Sequence, residues 1–336
     1  MDGIFVRIYT NRQYYEYPYR DAHFLLTSQY YDQQKPTVFY CHGWTESTNS
    51  SSTRTIITSY IERGGWNIVA FDFSILVHDY ENFTGPTRDF IPAESAMLNY
   101  VSKVYAMEGL ALSYIDSVRN SSRIGTAIGE LLAKYVEDGM PLKTIHVVGH
   151  SLGGHIVSFI GKAFKQHFNN ELRLPRITAL DPAGPIFVLK FCPKLEKGDA
   201  DMVDVIHTDT NLFGYPTNLG NVDYYPNMHL LMGGQPGCSN AEDGRIEGPG
   251  CSHYRSWKFY SESVLNPTAF PSVRCINKYA FLFNYCDNDS LTYMGYLYPD
   301  KGDGEYYLET GPRQPFGMEM DGIPNLPIEI YDFDEM

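Results

Sequence analysis

The chain has 336 residues with 40 acidic against 26 basic side chains, a net charge of −14, and no run of lysine and arginine along the sequence. Counterion release onto a phosphate backbone therefore cannot drive binding, which argues against nucleic acid as a partner; capture by strongly anionic membranes is disfavoured too, leaving apolar contact as the route to a lipid surface. Hydrophobic residues make up 43% of the chain, yet no stretch reaches the roughly 20 apolar residues of a spanning helix, so no transmembrane anchor is expected.

At the N-terminus, Met1-Asp2-Gly3-Ile4-Phe5-Val6-Arg7 has neither a basic stretch nor a sustained apolar run, and no signal peptide is visible. Apolar runs bounded by turn residues predict buried strands at residues 37–41, 67–73, 144–148, 177–180 and 203–207. Apolar residues at helical spacing predict helices over 93–119 (Met97, Val101, Val104) and 124–137 (Ile128, Leu131, Leu132, Tyr135), and a third over 155–168. Strands alternating with helices give an α/β architecture, a mostly parallel central sheet with helices on both faces. From Asn211 to about Cys251, Gly, Pro, Asn and Tyr dominate without periodicity, which predicts loops at the mouth of the sheet. Residues 1–316 read as one domain, and 317–336, with Glu319, Asp321, Glu329, Asp332, Asp334, Glu335 and no basic residue, as a disordered acidic tail.

Six cysteines are too few for a disulfide-built scaffold, but Cys238 with Cys251 and Cys275 with Cys286 are close enough in sequence for each pair to staple a loop; Cys41 and Cys192 are left with no assigned pairing. N-x-[ST] triplets begin at Asn49, Asn82, Asn120 and Asn288, all in polar surroundings that read as loops, and suit glycosylation of a secreted protein. With no signal peptide visible, either the chain lacks its true beginning or the protein is cytoplasmic with reduced cysteines, and the sequons and close cysteine pairs favour the first.

The chemistry centres on Gly149-His150-Ser151-Leu152-Gly153, between an apolar run and a helical stretch. A G-x-S-x-G at a strand-to-helix turn is a nucleophile elbow, with the serine hydroxyl raised above the sheet. Such a serine needs a base to take its proton and a carboxylate to orient that base, following it in the order acid, then histidine. Asp181 qualifies as the acid, because it stands where the 177–180 strand stops and Pro182 and Gly184 turn the chain at the sheet's carboxyl edge. Five histidines follow the serine. His155 and His167, on the helix after the elbow, read as structural, and His207 as a hydrogen-bonded sheet histidine. Residue types alone leave His229 and His253 level, since reach to the serine decides the base.

Gly-His-Ser-Leu-Gly-Gly-His at 149–155, Ala-Leu-Asp-Pro-Ala-Gly-Pro at 179–185, Asp-Val-Ile-His-Thr-Asp at 204–209 and Cys-Ser-His-Tyr-Arg-Ser at 251–256 together resemble the pancreatic lipase family, over a span from about Phe5 to about Phe316. The resemblance implies an α/β-hydrolase fold, with Ser151 as nucleophile, Asp181 as acid and His253 as base. Tyr40-Cys41-His42-Gly43-Trp44-Thr45 resembles the family's His-Gly-aromatic turn, which implies an oxyanion hole built from the backbone N–H groups of Trp44 and Leu152. No metal or other cofactor is implied.

Two loops that differ among members of that family are short here. Residues 239–250, between Cys238 and Cys251, contain one large apolar side chain, Ile246, from which no lipid-binding helix can be built. The loop over 210–222 is short as well, and the paired shortening resembles the phospholipase A1 branch, which implies cleavage of the sn-1 ester of a phospholipid. Alternatives are a triacylglycerol or galactolipid lipase with a reduced lid, and a non-catalytic lipid-binding protein of the yolk type. Only 83 residues follow His253, too few for a C-terminal lipid-binding β-sandwich, so docking on a lipid–water interface would fall to loops.

Overall fold

A computed structural model describes residues 2–11, 13–77, 108–228, 234–238, 250–299 and 302–323. Its strands are β1 (Phe5–Tyr9), β2 (Tyr14–Pro18), β3 (Thr37–Cys41), β4 (Asn67–Asp72), β5 (Ile145–His150), β6 (Arg176–Leu180), β7 (Met202–Ile206), β8 (Val222–Pro226), β9 (Pro271–Cys275), β10 (Asp287–Tyr293) and β11 (Gly304–Leu308). They form one sheet in the order β10-β9-β11-β8-β7-β6-β5-β3-β4-β1-β2. From β11 to β4 every neighbouring pair is parallel, and an antiparallel pair flanks each edge. The strands β3, β5, β6 and β7 therefore all end at one edge, and the turns after them share the mouth of the sheet.

The helices are α1 (Ser51–Arg63), α2 (Ser74–Val77), α3 (Glu108–Glu137), α4 (Gly153–His167), α5 (Cys251–Leu265) and α6 (Lys278–Leu282). Alternate residues of the central strands feed two cores. Phe39, Cys41, Val147, Ile177 and Ala179 pack with Ile128, Leu132, Ile156 and Ile160 of α3 and α4. Val38, Tyr40, Val148 and Leu180 pack with Ile56, Tyr60, Phe259 and Tyr260 of α1 and α5. The sheet is thus buried on both faces, as the unbroken apolar runs require.

All five expected strands are present, with β5 running on through Gly149 and His150. Several expectations need correction. The stretch 211–251 is not all loop, because Val222–Pro226 is a buried parallel strand in the middle of the sheet. Helix α3 does not break near residue 120: it is continuous over Glu108–Glu137, and Ser117 and Ser121 satisfy their hydroxyls within it on the carbonyls of Ser113 and Ser117, at 2.7 and 2.9 Å. Asn120 is therefore helical rather than in a loop, and its Nδ2 donates to Leu76 O at 2.9 Å. The first residues of the expected tail are tied to the domain at both ends of 317–323: Glu262 accepts the Gly317 N–H at 2.7 Å, Gly322 O accepts the Glu309 N–H at 2.7 Å, and Ile323 is buried, while 318–321 are exposed. Residues 324–336, most of the lid at 239–249, His229, Asn82 and the first part of the 93–119 helix lie outside the described residues.

At the opposite edge of the sheet, Arg176 holds the buried Asp204 in a bidentate pair at 2.7 and 2.9 Å and donates to the carbonyls of Gly295 and Tyr296 at 2.6 and 2.8 Å. Burial opposes the Arg176 charge, but Asp204 outweighs it and raises the guanidinium's affinity for its proton. Replacing Arg176 with methionine strands a buried carboxylate, so stability should fall by about 3–5 kcal/mol. The expected readout is a lower denaturant midpoint at unchanged slope.

Candidate active site

Ser151 sits at the turn between β5 and α4 with φ of 56°, a left-handed conformation rare for a residue with a β-carbon. The flanking glycines serve close approach. A Cβ on Gly149 would lie 2.3 Å from Gly153 O, and one on Gly153 would lie 2.4 Å from Cys41 O at the end of β3. The turn is tied to the next strand, since Ser151 N donates to Leu180 O at 3.0 Å and Ala183 N to Ser151 O at 3.1 Å. The serine is half-buried, and its hydroxyl has no hydrogen-bond partner among the described residues.

Asp181 follows β6 directly and is fully buried. Its Oδ1 accepts the backbone N–H groups of Thr208 and Asp209 at 2.7 and 3.0 Å, and its Oδ2 faces His253 Nδ1 at 2.5 Å. One oxygen is thus locked by the turn after β7 while the other fixes the imidazole, so His253 carries its Nδ1 proton toward the carboxylate and leaves Nε2 as the basic atom. His253 lies in the first turn of α5, and the Cys238–Cys251 disulfide anchors that turn. Burial works against a charged His253, but the hydrogen bond and charge of Asp181, with Asp209 and Glu46, outweigh it and raise the imidazole above its ordinary value. Asp209 is itself pushed up, first by burial and then by Asp181. The His253 ring lies 4.8 Å from that of His150, the residue before the serine. The structure thus joins His253 to Asp181 and sets His253 beside the elbow; contacts from serine to histidine are commonly long until substrate tightens them.

The turn after β3 reaches the same place. A Cβ on Gly43 would come 3.0 Å from Ser151 Cβ, so the His42-Gly43-Trp44 backbone lies against the elbow. Trp44 packs edge-on against Tyr114 at 5.1 Å. Leu152 is buried at the start of α4, where backbone N–H groups have no intrahelical acceptor. Backbone donors from the two turns can therefore converge beside Ser151.

A family model described as Lipase matches residues 5–316. The chain belongs to the lipase family. Among similar proteins, the pancreatic triacylglycerol lipase of Mus musculus is 34% identical over 238 residues, 62% of this chain and 49% of that protein. The one from Cavia porcellus is 32% identical over 294 residues, 79% of this chain and 57% of that protein. Lipase member H of Mus musculus is 34% identical over 163 residues, 48% of this chain and 34% of that protein. This lipase-family chain spans about half the length of the pancreatic relatives it matches.

Other histidines of this lipase-family chain have structural partners. His155 Nε2 meets Ala183 O at 2.8 Å and its Nδ1 accepts the Leu195 N–H at 3.2 Å; burial pushes its affinity for a proton down to about 3. His207 pairs with Asp223 at 2.8 Å, and His167 with Glu137 at 2.8 Å. The disulfides Cys238–Cys251 and Cys275–Cys286 are both formed, whereas Cys41 and Cys192 are free thiols. Asn49 is exposed in a turn and Asn288 lies on β10. No group of three or more metal-ligating side chains occurs among the described residues, and no described helix is long and apolar enough to cross a membrane.

Sequence reasoning missed Glu46. Its Oε2 accepts the Gly43 N–H at 2.6 Å and meets His150 Nδ1 at 3.1 Å, so a single carboxylate oxygen ties the turn after β3 to the residue before the serine. Burial opposes this carboxylate's charge, but His150 and the Gly43 N–H prevail and hold it down at about 2, so it stays ionised. The only local signal is an acid three residues beyond a His-Gly turn.

Proposed function

We propose that the protein is a secreted serine carboxylic-ester hydrolase acting on lipids, and specifically a phospholipase A1 that releases the sn-1 fatty acid. The observation that carries the hydrolase reading is the 2.5 Å contact of His253 Nδ1 with an Asp181 carboxylate whose other oxygen is held by two backbone donors, beside a serine at a strained turn. In this reading Ser151 Oγ attacks the ester carbonyl as His253 Nε2 takes its proton. The negative charge that develops on the carbonyl oxygen is met by the N–H groups of Trp44 and Leu152. His253 then returns the proton to the leaving alcohol, and water, activated the same way, hydrolyses the acyl-enzyme. Asp181 stabilises the imidazolium formed in both halves.

The phospholipid preference is supported by the lid. Residues 239–250 have one large apolar side chain, too little for an amphipathic cover, and a polar lid of this composition suits a phospholipid headgroup better than a closed apolar one would. The two disulfides support an oxidising, extracellular setting, where Asn49, exposed in a turn, is open to glycan attachment. A second reading, triacylglycerol hydrolysis, is favoured by the names of the pancreatic relatives. A side-by-side assay on sn-1-labelled and sn-2-labelled phosphatidylcholine and on a long-chain triacylglycerol emulsion separates the two. Release of the sn-1 label fastest supports the proposal, and triacylglycerol turnover equal to or above it overturns the phospholipase assignment.

Glu46 positions the oxyanion turn in this scheme. Glu46→Gln takes the charge out of both contacts, to the Gly43 N–H and to His150, so kcat should fall about tenfold with KM nearly unchanged. Steady-state kinetics on a soluble short-chain ester reads that split, and a rise in KM alone would count against the positioning role.

A further inference from the structure

The loop after β6 makes an excursion over residues 185–192 before it returns to α4, where the Leu195 N–H meets His155 Nδ1 at 3.2 Å. The excursion is closed on itself: Val188 N donates to Gly184 O at 3.1 Å, Leu189 N to Ile186 O at 3.0 Å and Cys192 N to Leu189 O at 3.1 Å. Its inner residues are fixed. Phe187 is buried and stacks on His155 at 3.8 Å, Ile186 packs on Tyr114 and Ile115 of α3, and Tyr114 Oη donates to Pro185 O at 3.0 Å. Trp44, Leu189 and Cys192 pack against the same small cluster, so the excursion stands at the mouth of the sheet, beside the turn after β3.

Held in this way, the loop turns its remaining side chains outward. Phe191 is 80% and Val188 38% exposed, and Lys190 between them is exposed as well. Ile186 has φ of 70°, an outlier for a β-branched residue, and such strain persists only where the surroundings over-determine the conformation. The fixed backbone thus keeps a large aromatic side chain in water, which is unfavourable unless an apolar phase receives it.

Single exposed apolar side chains are ordinary on a protein surface, but place and charge set this group apart. Leu212, exposed on the loop after β7, stands on a segment tied to the same excursion, because Gly184 N donates to Phe213 O at 2.7 Å. Residues 182–195 hold Lys190 and Lys194 and no acid, in a chain of net charge −14. An aromatic anchor with lysines beside it is the composition of a contact with a lipid–water interface, where apolar side chains enter and ammonium groups stay at the headgroups. A second copy of the chain fits less well, since a symmetric contact would bring both sets of lysines into one small interface. The Cys275–Cys286 loop also exposes apolar side chains, Ile276, Tyr279, Phe283 and Tyr285. That loop leaves β9 at the amino edge of the sheet, where Cys275 pairs with Glu305 near the start of β11, so a surface bound there lies on the far side from the mouth.

We propose that the 185–192 excursion is the contact by which the protein seats its mouth on a lipid–water interface, with Phe191 and Val188 entering the apolar layer and Lys190 remaining among the headgroups. Seating the mouth in this way serves the lipid-ester hydrolysis proposed above and rests on that reading.

The full chain is mixed with vesicles of diether phosphatidylcholine, which carries no ester to cleave, and bound protein is measured by cosedimentation. Phe191→Ser should weaken partitioning about tenfold or more and Val188→Ser by less, whereas Phe283→Ser at the opposite edge should leave it unchanged. Each variant is also assayed on a soluble short-chain ester below its micelle concentration. There Phe191→Ser should keep the parent's kcat and KM while losing most of its turnover of aggregated ester lipid. A parent that does not partition, or partitioning unchanged in Phe191→Ser, overturns the proposal. An equal loss on the soluble ester overturns it too, because the loop would then act on the site itself. Partitioning that depends on Phe191 in a parent that cleaves neither ester supports the contact and overturns the hydrolase reading instead.

Discussion

Ser151→Ala should lower ester hydrolysis on the order of a millionfold, the loss expected when one member of a cooperating triad is removed. The expectation rests on geometry that the substitution leaves alone. The left-handed backbone at residue 151 and the close contacts of Gly149 and Gly153 with their neighbours persist with alanine in place, so far-ultraviolet circular dichroism and the thermal midpoint should be nearly unchanged. Some activity above the uncatalysed rate should survive if the proposed oxyanion donors, the N–H groups of Trp44 and Leu152, receive the charge when water attacks directly. Turnover of a chromogenic short-chain ester, with KM compared to the parent, checks this; a loss of only a few-fold would remove Ser151 from the chemistry.

Asp181→Asn should cost about ten-thousandfold in kcat, since an amide in place of the carboxylate permits the wrong imidazole tautomer. It should also move the pH profile. The base works when neutral, so activity rises as pH rises through the imidazole's folded value, and that value is raised against the pull of burial chiefly by the Asp181 hydrogen bond and charge. Without the carboxylate, burial prevails and the acid limb of kcat/KM should shift to lower pH even as the plateau collapses. A collapse with an unmoved acid limb would mean that another group sets it.

What could be read from the sequence was local. The run ending at Val148, the glycines around Ser151 and the strand stop at Asp181 each occupy a few consecutive residues, and the structure reproduces them to within a residue or two. Strand β8 was missed because Val222-Asp-Tyr-Tyr-Pro226 has the composition of a loop; it belongs in the sheet because its polar member, Asp223, is satisfied by His207 and by the N–H groups of Leu219 and Gly220. The polar run at 120–122 reads as a helix break, yet α3 runs through it with serine hydroxyls satisfied on carbonyls of the same helix. Contacts between distant segments were not legible. His253 meets Asp181 across 72 residues and Glu46 meets His150 across 104, so residue types alone could not separate His253 from His229, and only the family resemblance did so.

The claim that Ser151 is the nucleophile, activated by the His253–Asp181 pair, is tested most directly by treating the protein with an active-site phosphonate ester and mapping the adduct by peptide mass spectrometry. The account predicts one phosphonyl group per chain on Ser151, formed far more slowly in Asp181→Asn and absent in Ser151→Ala. An adduct on another residue, or labelling of Ser151→Ala at the parent rate, would contradict it.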